Sequence, residues 1–329
     1  MDINILTKEQ LETAPQDSVI SGLVYIRYFK RAVSKKGAAY LSGEIECKEK
    51  FSIIMWPKCV EFAIFEKLEV SNTLANITAS IGEFGGKKSL TLTHLELLDN
   101  NQLGLNLDDF KCLKYDKNVY TNAFITLVKS HLSQKGMDLF ESIFERNKVD
   151  GLWNKFSVEY ASKLNHDNCE SGLLAHTYKC LRLLDYLQKP YGFFHRLKTT
   201  EISENQDIID LLYFGVILHD IGKVNEMKEG LYQPDSFNTH RIMGLEILFK
   251  HKEMIVSLYN EHWYQALVSI LVGHHHEYGE KAKTVYAYIV YMIDNMEATF
   301  TGLDQLLTTN VMENIEGAKI SWNEDILSL

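Results

Sequence analysis

The residues that can ligate a metal ion are concentrated in the second half of the chain. Ten of the twelve histidines lie between residues 166 and 276. Histidine and aspartate candidates occur there in five separate stretches: His176, His219–Asp220, His240, His274–His275 and Asp294. Imidazoles and carboxylates together suit Mn²⁺, Fe²⁺, Mg²⁺ or Zn²⁺, and a shared aspartate can bridge two ions about 3.5–4 Å apart. The residue types and their order therefore predict a metal centre.

Two of these stretches are difficult to explain by packing alone. His219 and Asp220 follow the apolar run IIDLLYFGVIL, and Asp294 lies inside the apolar stretch TVYAYIVYMIDNMEATF. A buried aspartate is costly unless a cation or a hydrogen-bond donor pairs with it. Each member alone also has an ordinary explanation: a helix end in water for His219, a core histidine for His176 and a helix-start surface residue for His240. The prediction rests on the whole set.

The stretches that carry these residues have the spacing of helices. From about residue 107 onwards, apolar residues recur at intervals of three and four positions. Helices are predicted at residues 118–133, 136–146, 152–164, 171–188, 206–219, 240–250, 262–274 and 283–300. Five of these segments would have to converge on one cleft to bring the candidate ligands together.

The first hundred residues have the patterns of β-strands instead. Strands are predicted near residues 19–29, 40–45, 51–56, 75–81 and 89–98, with a short helix at 58–68. Five strands with a helix between the third and the fourth is the order of an OB-fold, a small barrel that commonly binds oligonucleotides. We predict a mixed fold, with an OB-fold β-barrel in residues 1–100, a helical connector in residues 101–165 and an all-α domain in residues 166–329.

A basic segment in the predicted barrel is the candidate for contact with nucleic acid. It contains five basic residues and no acid: Arg27, Lys30, Arg31, Lys35 and Lys36. Because side chains alternate along a strand, only about half of the aromatic residues can face outward and stack on bases. Three aromatic residues are predicted to do so: Tyr28, Tyr40 and Trp56. A solvated hairpin and a barrel core are the competing explanations for these two sets.

Net charge, cysteine content and the length of apolar runs exclude further classes of protein. The net charge of −10 argues against a protein that coats duplex nucleic acid, although it leaves room for a local basic groove. The five cysteines form no C-x-x-C pair and the N-terminus lacks the features of a secretory signal, so we expect reduced thiols in a cytoplasmic protein. No apolar run approaches the roughly 18 residues that span a bilayer, so no membrane partner is expected. The sequence leaves a homo-oligomer open.

Five short motifs connect the predicted ligands to a known superfamily. They are GLLAHT, ILHDIGK, THRIMG, GHHH and YMIDN, within residues 171–300. This set resembles the HD-domain superfamily of metal-dependent phosphohydrolases, and implies an HD-type helical domain from residue 166 onwards. With the strand pair LSGEIE…IIMW and the strand GGKKSLTLTHLELL ahead of it, the chain also resembles the YhaM-type 3′→5′ exoribonucleases, from about residue 17 to residue 305.

The resemblance implies a specific role for each motif residue. It implies two divalent metal ions, with Mn²⁺ preferred and Fe²⁺, Mg²⁺ or Zn²⁺ as alternatives. One ion would be held by His176, His219, Asp220 and Asp294. The other would be held by His240, His274 and His275, with Asp220 shared. Lys223 would face the phosphate, and His276 and His166 are the candidates for touching the substrate or protonating the leaving oxygen.

The implied activity is metal-dependent 3′→5′ hydrolysis of single-stranded RNA, or of DNA, to nucleoside 5′-monophosphates. RNA is the preferred partner. One alternative is an HD enzyme that acts on nucleotides or cyclic nucleotides, which would not need a barrel with a basic hairpin. The other is a non-catalytic single-strand binder with an inert helical domain, although every expected ligand position holds a competent residue.

Overall fold

The chain divides into two units in this computed structural model, Met1–Leu113 and Lys114–Leu329. The first unit is a β-barrel with short helices, and the second unit is helical. The structure describes residues 4–68, 70–84, 87–98, 105, 107–112, 114–163, 167–190, 192, 194, 204–233, 236–276 and 279–309.

The first unit is a closed barrel of five strands. The strands are β1 (Val19–Val33), β2 (Ala39–Glu46), β3 (Lys50–Met55), β4 (Val70–Phe84) and β5 (Lys87–Leu97). Antiparallel pairs join β1 to β2, β2 to β3, β4 to β5 and β1 to β4, and a parallel pair joins β3 to β5. Helix α1 (Lys8–Thr13) precedes β1, and helix α2 (Phe62–Phe65) lies between β3 and β4. The predicted OB-type barrel is confirmed.

Both faces of strand β1 are buried along part of its length. Val24 and Ile26 belong to the apolar core inside the barrel. Leu23 and Tyr25 alternate with them and pack against Phe110 in a separate apolar cluster. Phe110 directly follows a short 3₁₀ helix, Leu107–Asp109. This part of the chain therefore covers the outer face of β1 and removes it from solvent.

The second unit is built mainly from helices. They are α3 (Lys117–His131), α4 (Gln134–Phe144), α5 (Leu152–Phe156), α6 (Gly172–Gln188), α7 (Gln206–Leu218), α8 (Lys223–Glu226), α9 (His240–Phe249), α10 (Lys252–Leu258), α11 (Glu261–Gly273) and α12 (Val285–Thr309). Strands β6 (Met227–Lys228) and β7 (Leu231–Tyr232) form a small hairpin between α8 and α9. Asp116, Ser133, Asn205 and Asn260 start α3, α4, α7 and α11 by accepting backbone N–H groups.

One large apolar core joins the helices of this unit. Phe124 and Phe140 from α3 and α4 belong to the same buried cluster as Leu181 from α6 and Ile293 from α12. Residues 114–163 therefore share a core with the helices that carry the predicted ligands. Within the described residues, no helix combines the length and the apolar character that crossing a membrane requires.

One local prediction for this unit is wrong, and a short helix was missed. The helix predicted at 152–164 ends at Phe156, because the backbone that follows bonds to other segments: Ser171 N–H donates to Val158 C=O and Leu173 N–H to Glu159 C=O. Helix α10 was not predicted, since seven residues are too short for a clear helical period.

Candidate metal centre

The predicted ligands lie on five helices or directly after them. His176 is on α6, His219 and Asp220 follow α7, His240 starts α9, His274 and His275 follow α11, and Asp294 is on α12. The buried group includes His176, His219, Asp220 and His274, each with 3% or less of its surface exposed. These side chains therefore face the interior and not the solvent.

Two glycines allow the elements to approach closely enough. A Cβ atom at Gly222 would lie 1.8 Å from the carbonyl oxygen of His240, so only glycine lets the start of α9 reach the turn after Asp220. A Cβ atom at Gly172 would lie 1.9 Å from the carbonyl oxygen of Asp167, at the start of the helix that carries His176. Both approaches are backbone contacts, which a side chain could not relieve by changing rotamer.

Asp220 lies between two groups of imidazoles. Its Oδ2 is 3.4 Å from His219 Nε2 and 3.7 Å from His176 Nε2. Its Oδ1 is 3.5 Å from His240 Nε2 and 3.7 Å from His274 Nε2. One carboxylate oxygen therefore faces each group.

Asp294 and His275 complete the two groups. Asp294 Oδ1 is 3.2 Å from His176 Nε2 and 3.7 Å from His219 Nε2. His275 Nε2 is 2.9 Å from His240 Nε2, on the other side of Asp220. The structure thus brings together all seven predicted ligands: His176, His219, Asp220, His240, His274, His275 and Asp294.

Hydrogen bonds from behind fix the orientation of the imidazoles. His219 Nδ1 donates to Val216 C=O at 2.7 Å, and His274 Nδ1 donates to Leu271 C=O at 2.9 Å. His176 Nδ1 lies 2.6 Å from a carboxylate oxygen of Glu297. Since these acceptors have no proton to give, each Nδ1 carries a hydrogen and each Nε2 is turned toward Asp220 or Asp294.

The donor set fits a divalent cation. Asp220 Oδ1 and His274 Nε2 are buried polar atoms without a hydrogen-bond partner among the residues that the structure describes. The Nε2 atoms of His176 and His219 are 3.2 Å apart, an arrangement in which neutral imidazole lone pairs repel each other unless a cation or proton lies between them. A metal ion satisfies both the orphaned atoms and the converging lone pairs.

The local electrostatics favour the ligand forms of most of these groups. Burial alone would raise the pKa of Asp220, but Lys223 and His219 hold it well below its usual value. The pKa of Asp294 is also lowered despite burial, mainly by its hydrogen bond with His176. Burial and the neighbouring His274 lower the pKa of His275 to about 3. Anionic carboxylates and a neutral imidazole are the states that bind metal.

The helices that carry this centre match a known family. The HD domain model matches residues 173–299, which include the seven predicted ligands. This part of the chain is therefore similar to the HD domain family, and we call it the HD domain. Over 226 residues the chain is 27% identical to the 3′-5′ exoribonuclease YhaM of Oceanobacillus iheyensis, a match that covers 63% of this chain and 59% of that relative.

A solved structure also matches part of the chain, at low similarity. It is a replication protein A heterotrimer bound to single-stranded DNA, with 12% sequence identity and a TM-score of 0.21. The match covers 30% of this chain and 83% of the other chain.

A second layer of charged residues supports His176 in the HD domain. Glu297 accepts the hydrogen bond from His176 Nδ1, and its other oxygen is 2.5 Å from Lys179 Nζ. Lys179 also contacts Asp167 at 2.7 Å, and Asp167 accepts a hydrogen bond from Tyr115. A metal-ligating histidine held by a carboxylate is a recurrent arrangement, because it fixes the ring and makes the free nitrogen a better donor.

This layer changes the protonation of His176. Burial would lower the pKa of His176, but the neighbouring carboxylates of Asp294 and Glu297 raise it well above 6.5. A proton and a metal ion therefore compete for His176 Nε2. Cys180 lies 3.9 Å from that nitrogen, and burial raises its thiol pKa to about 11, so it remains a protonated thiol at neutral pH.

Sequence reasoning missed Glu297, Lys179 and Asp167. Glu297 follows Asp294 by three residues and Lys179 follows His176 by three, which places each on the same helix face as a predicted ligand. That spacing was a usable signal in the HD domain. Asp167 precedes α6 and reaches the site only through the close approach at Gly172, so its sequence position carried no signal.

The structure places two of the three other site residues predicted in this part of the chain. Lys223 Nζ is 2.7 Å from Asp220 Oδ2 and donates to Ala161 C=O at 2.6 Å. His276 is half-buried next to the predicted ligand His275. His166 lies outside the described residues.

The prediction that Arg27 contacts nucleic acid is wrong. Arg27 is 1% exposed, with Nη1 2.8 Å from Glu44 and Nε 3.2 Å from Glu46. It lies at an irregularity in the β1–β2 register, between Ile26 and Tyr28. The two carboxylates on β2 engage the guanidinium, which is why this basic residue does not face the solvent.

The remaining barrel candidates are accessible to different degrees. Four basic residues are exposed: Lys30, Arg31, Lys35 and Lys36. Three aromatic residues are half-buried: Tyr28, Tyr40 and Trp56. The rings of Tyr40 and Trp56 lie against each other with centroids 5.3 Å apart. Contact of any of these residues with nucleic acid stays a prediction.

Proposed function

We propose that the chain is a metal-dependent 3′→5′ exonuclease that hydrolyses single-stranded RNA, in preference to DNA, to nucleoside 5′-monophosphates. The observation that carries the proposal is the position of Asp220, which turns one carboxylate oxygen toward each of two imidazole groups. A carboxylate shared between two metal-binding groups is suited to an in-line displacement at phosphorus.

Each imidazole group would hold a divalent ion, for which Mn²⁺ is the first candidate. The first group is His176, His219, Asp220 and Asp294, and the second is Asp220, His240, His274 and His275. When bound, such ions polarise the phosphate and lower the pKa of water toward neutrality. Oxygen and imidazole ligands without a thiolate favour Mn²⁺, Fe²⁺ or Mg²⁺ over a soft metal.

Lys223 would balance the negative charge of the phosphate. Burial lowers the pKa of Lys223, but Asp220 raises it above its ordinary value overall, so the ammonium group stays charged. Its contacts with Asp220 and Ala161 use two of the three N–H donors of an ammonium group. The third can reach a non-bridging phosphate oxygen, where a fixed positive charge stabilises the transition state.

His276 would donate a hydrogen bond to the leaving 3′ oxygen. Its Nδ1 accepts the backbone N–H of Ala282 at 3.1 Å, so the neutral ring carries its hydrogen on Nε2. In this tautomer Nε2–H can stabilise the leaving oxygen by a hydrogen bond, and the proton that completes the 3′ hydroxyl comes from solvent. This gives His276 a role that differs from the ligand role of His274 and His275.

The barrel and one relative support single-stranded RNA as the substrate. The barrel has the OB-type strand order, and such barrels commonly bind single strands with basic and aromatic side chains. Lys30, Arg31, Lys35 and Lys36 are exposed on it. One relative that matches part of the chain is named a 3′-5′ exoribonuclease.

The test uses RNA and DNA oligonucleotides of one sequence, labelled at either the 5′ or the 3′ end, with Mn²⁺. A 3′→5′ exonuclease releases the 3′ label at once as a mononucleotide and shortens the 5′-labelled strand stepwise. RNA should be degraded faster than DNA. Loss of the 5′ label first, or a single internal cut, would overturn the proposed polarity.

The same preparation distinguishes the two alternatives. A nucleotide phosphohydrolase would leave the oligonucleotides intact and convert members of a panel of nucleotides and cyclic nucleotides. An inert binder would convert neither, and would contain no metal by plasma mass spectrometry after dialysis against a metal-containing buffer.

A further inference from the structure

Three aromatic rings meet beside the metal centre. The His276 ring lies 5.4 Å from the Tyr288 ring and 5.0 Å from the Tyr291 ring, centroid to centroid. The two tyrosine rings are 5.7 Å apart, so each ring contacts both others. We call these three residues the aromatic triad.

The triad remains accessible, unlike the ring cluster in the core of this unit. Tyr288 is 46% exposed, and Met292, one turn further along α12, is 48% exposed. By contrast, the ring cluster around Phe124 and Phe140 is buried in the core. Large apolar side chains that remain exposed next to a polar site indicate a binding surface.

Local contacts hold the triad in place. His276 has a positive φ of 41°, a conformation that a residue outside glycine adopts only when its surroundings enforce it. The hydrogen bond from Ala282 N–H to His276 Nδ1 fixes the ring, and Tyr288 and Tyr291 lie on the single helix α12. A platform already ordered before binding loses little conformational entropy when a ligand arrives.

Two residues of the triad lie close in sequence to predicted metal ligands. His276 follows His275 in sequence. Tyr291 precedes Asp294 by three residues on α12, which puts the two side chains about 60° apart on the same side of the helix. A base stacked on these rings can therefore belong to the same strand as a phosphate bound at the metal centre.

We infer that the aromatic triad stacks the nucleobase of a nucleotide flanking the scissile phosphate. This inference rests on the proposed function, and it adds a base-binding subsite to the phosphate-binding centre. Aromatic rings accept any base through its π-face, so the subsite positions the strand without reading its sequence. The ligand class is the base of single-stranded nucleic acid.

Fluorescence of a strand that carries 2-aminopurine tests the stacking directly. The full chain is mixed with chelator and an oligoribonucleotide that has the probe at the terminal or the penultimate 3′ position, so that no hydrolysis occurs. Stacking on the triad should quench the probe at one of the two positions. Tyr288→Ala should remove the quenching, and Tyr288→Phe, which keeps the ring, should retain it.

Kinetics with an abasic substrate give an independent measurement. Stacking of one base is worth about 1–3 kcal/mol, so Tyr288→Ala should raise KM for an oligonucleotide about 5- to 150-fold. The same variant should have almost no effect on a substrate that lacks the base at the quenched position. Tyr186→Ala removes a tyrosine that is 58% exposed on α6 and serves as the matched control, with KM unchanged on both substrates.

The outcomes separate this inference from the proposed function. If RNA is degraded from the 3′ end, but Tyr288→Ala raises KM by the same factor for the intact and the abasic substrate, the nuclease stands and the base subsite is wrong. If RNA is not degraded at all, the proposed function fails, whatever the fluorescence shows. Quenching that survives Tyr288→Ala also overturns the subsite.

Discussion

Each unit of the chain buries a cluster of charged side chains, but the two clusters are balanced differently. Glu46 Oε1 in the barrel and Asp220 Oδ1 in the HD domain are both buried without a hydrogen-bond partner in the described part of the chain. The nearest charged group to Glu46 Oε1 is the Arg27 guanidinium at 3.2 Å. Asp220 Oδ1 faces the imidazoles of His240 and His274, at 3.5 and 3.7 Å.

This difference separates a structural cluster from a binding site. An arginine side chain is always charged, so the barrel cluster contains its own cation and needs nothing from outside. In the HD domain, burial lowers the pKa of His274, so this imidazole faces Asp220 as a neutral group. Lys223 pairs with Asp220 only through Oδ2, so a cation from solution would satisfy the Oδ1 that faces the two imidazoles.

The largest expected effect on metal content and hydrolysis comes from substituting Asp220. Asp220→Asn keeps the size of the side chain but removes the negative charge between the two imidazole groups. Metal content should fall, and the rate of RNA hydrolysis should decrease at least about 10³-fold. Plasma mass spectrometry after dialysis and initial rates with Mn²⁺ measure the two quantities.

The matched control for Asp220 is Asp138→Asn, which changes an exposed aspartate on α4 that bonds to Gln134. It should leave the metal content and the rate unchanged. Wild-type metal content in Asp220→Asn would show that the HD cluster, like the barrel cluster, is balanced within the chain.

The next largest effect is on the stability of the barrel. Arg27→Ala leaves Glu44 and Glu46 without their guanidinium and should lower the free energy of unfolding by about 3–5 kcal/mol. Urea unfolding monitored by circular dichroism measures this loss. Metal content should not change. Lys30→Ala, an exposed position on the same strand, should change stability by no more than about 0.5 kcal/mol.

The loss in Arg27→Ala should also depend on pH. Burial raises the pKa of Glu46 above 4.5 even with Arg27 present. The folded chain then binds a proton more readily than the unfolded chain, so this group lowers stability as the pH rises above the unfolded value. Without Arg27 the pKa rises further, and the variant should lose more stability at about pH 8 than at about pH 5. An equal loss at both values would contradict this assignment.

These two clusters also show how far the sequence alone could go. The metal centre was predictable because its residues are chemically unusual for their surroundings: Asp294 inside an apolar helix, and His219 and Asp220 at the end of another. Helical periodicity then placed each of them on a separate element. The helical unit and the OB-type barrel followed from local patterns that the tertiary structure reinforces, whereas the HD type followed from the resemblance of five short motifs.

Arg27 could not be understood in the same way. Its neighbours in sequence are basic, whereas the partners that bury it, Glu44 and Glu46, lie on the next strand. Local alternation also fails at the irregular register between Ile26 and Tyr28. The carboxylate of Asp167 was missed for a related reason, since its approach to His176 depends on the backbone contact at Gly172. Contacts between distant segments are not readable from one sequence.

A smaller effect on metal affinity is expected from substituting Glu297, which supports His176 from outside the ligand set. Glu297→Gln keeps an oxygen for His176 Nδ1–H but removes the charge that binds Lys179. The metal affinity should fall about 10- to 100-fold, because outer carboxylates of this kind orient ligands and raise their basicity. Competition with a fluorescent chelator measures the affinity without substrate. Glu253→Gln, an exposed position on α10, is the control. An unchanged affinity in Glu297→Gln would make Glu297 a structural partner of Lys179 only.

The smallest effect concerns the exposed charges of the barrel. If Lys35 and Lys36 each contact one phosphate, the double variant Lys35→Ala/Lys36→Ala should reduce the salt dependence of single-strand binding. The slope of log K against log salt should decrease by about 0.7 for each lost contact, measured by fluorescence anisotropy between about 50 and 200 mM salt with chelator present. Lys58→Ala/Lys67→Ala removes two exposed lysines near α2 and should leave the slope unchanged. An equal change in both double variants would mean that the basic segment acts only through net charge.

Salt screens exposed charges such as these far more than the buried Arg27 cluster, so Arg27→Ala should change stability without changing the slope of single-strand binding against salt.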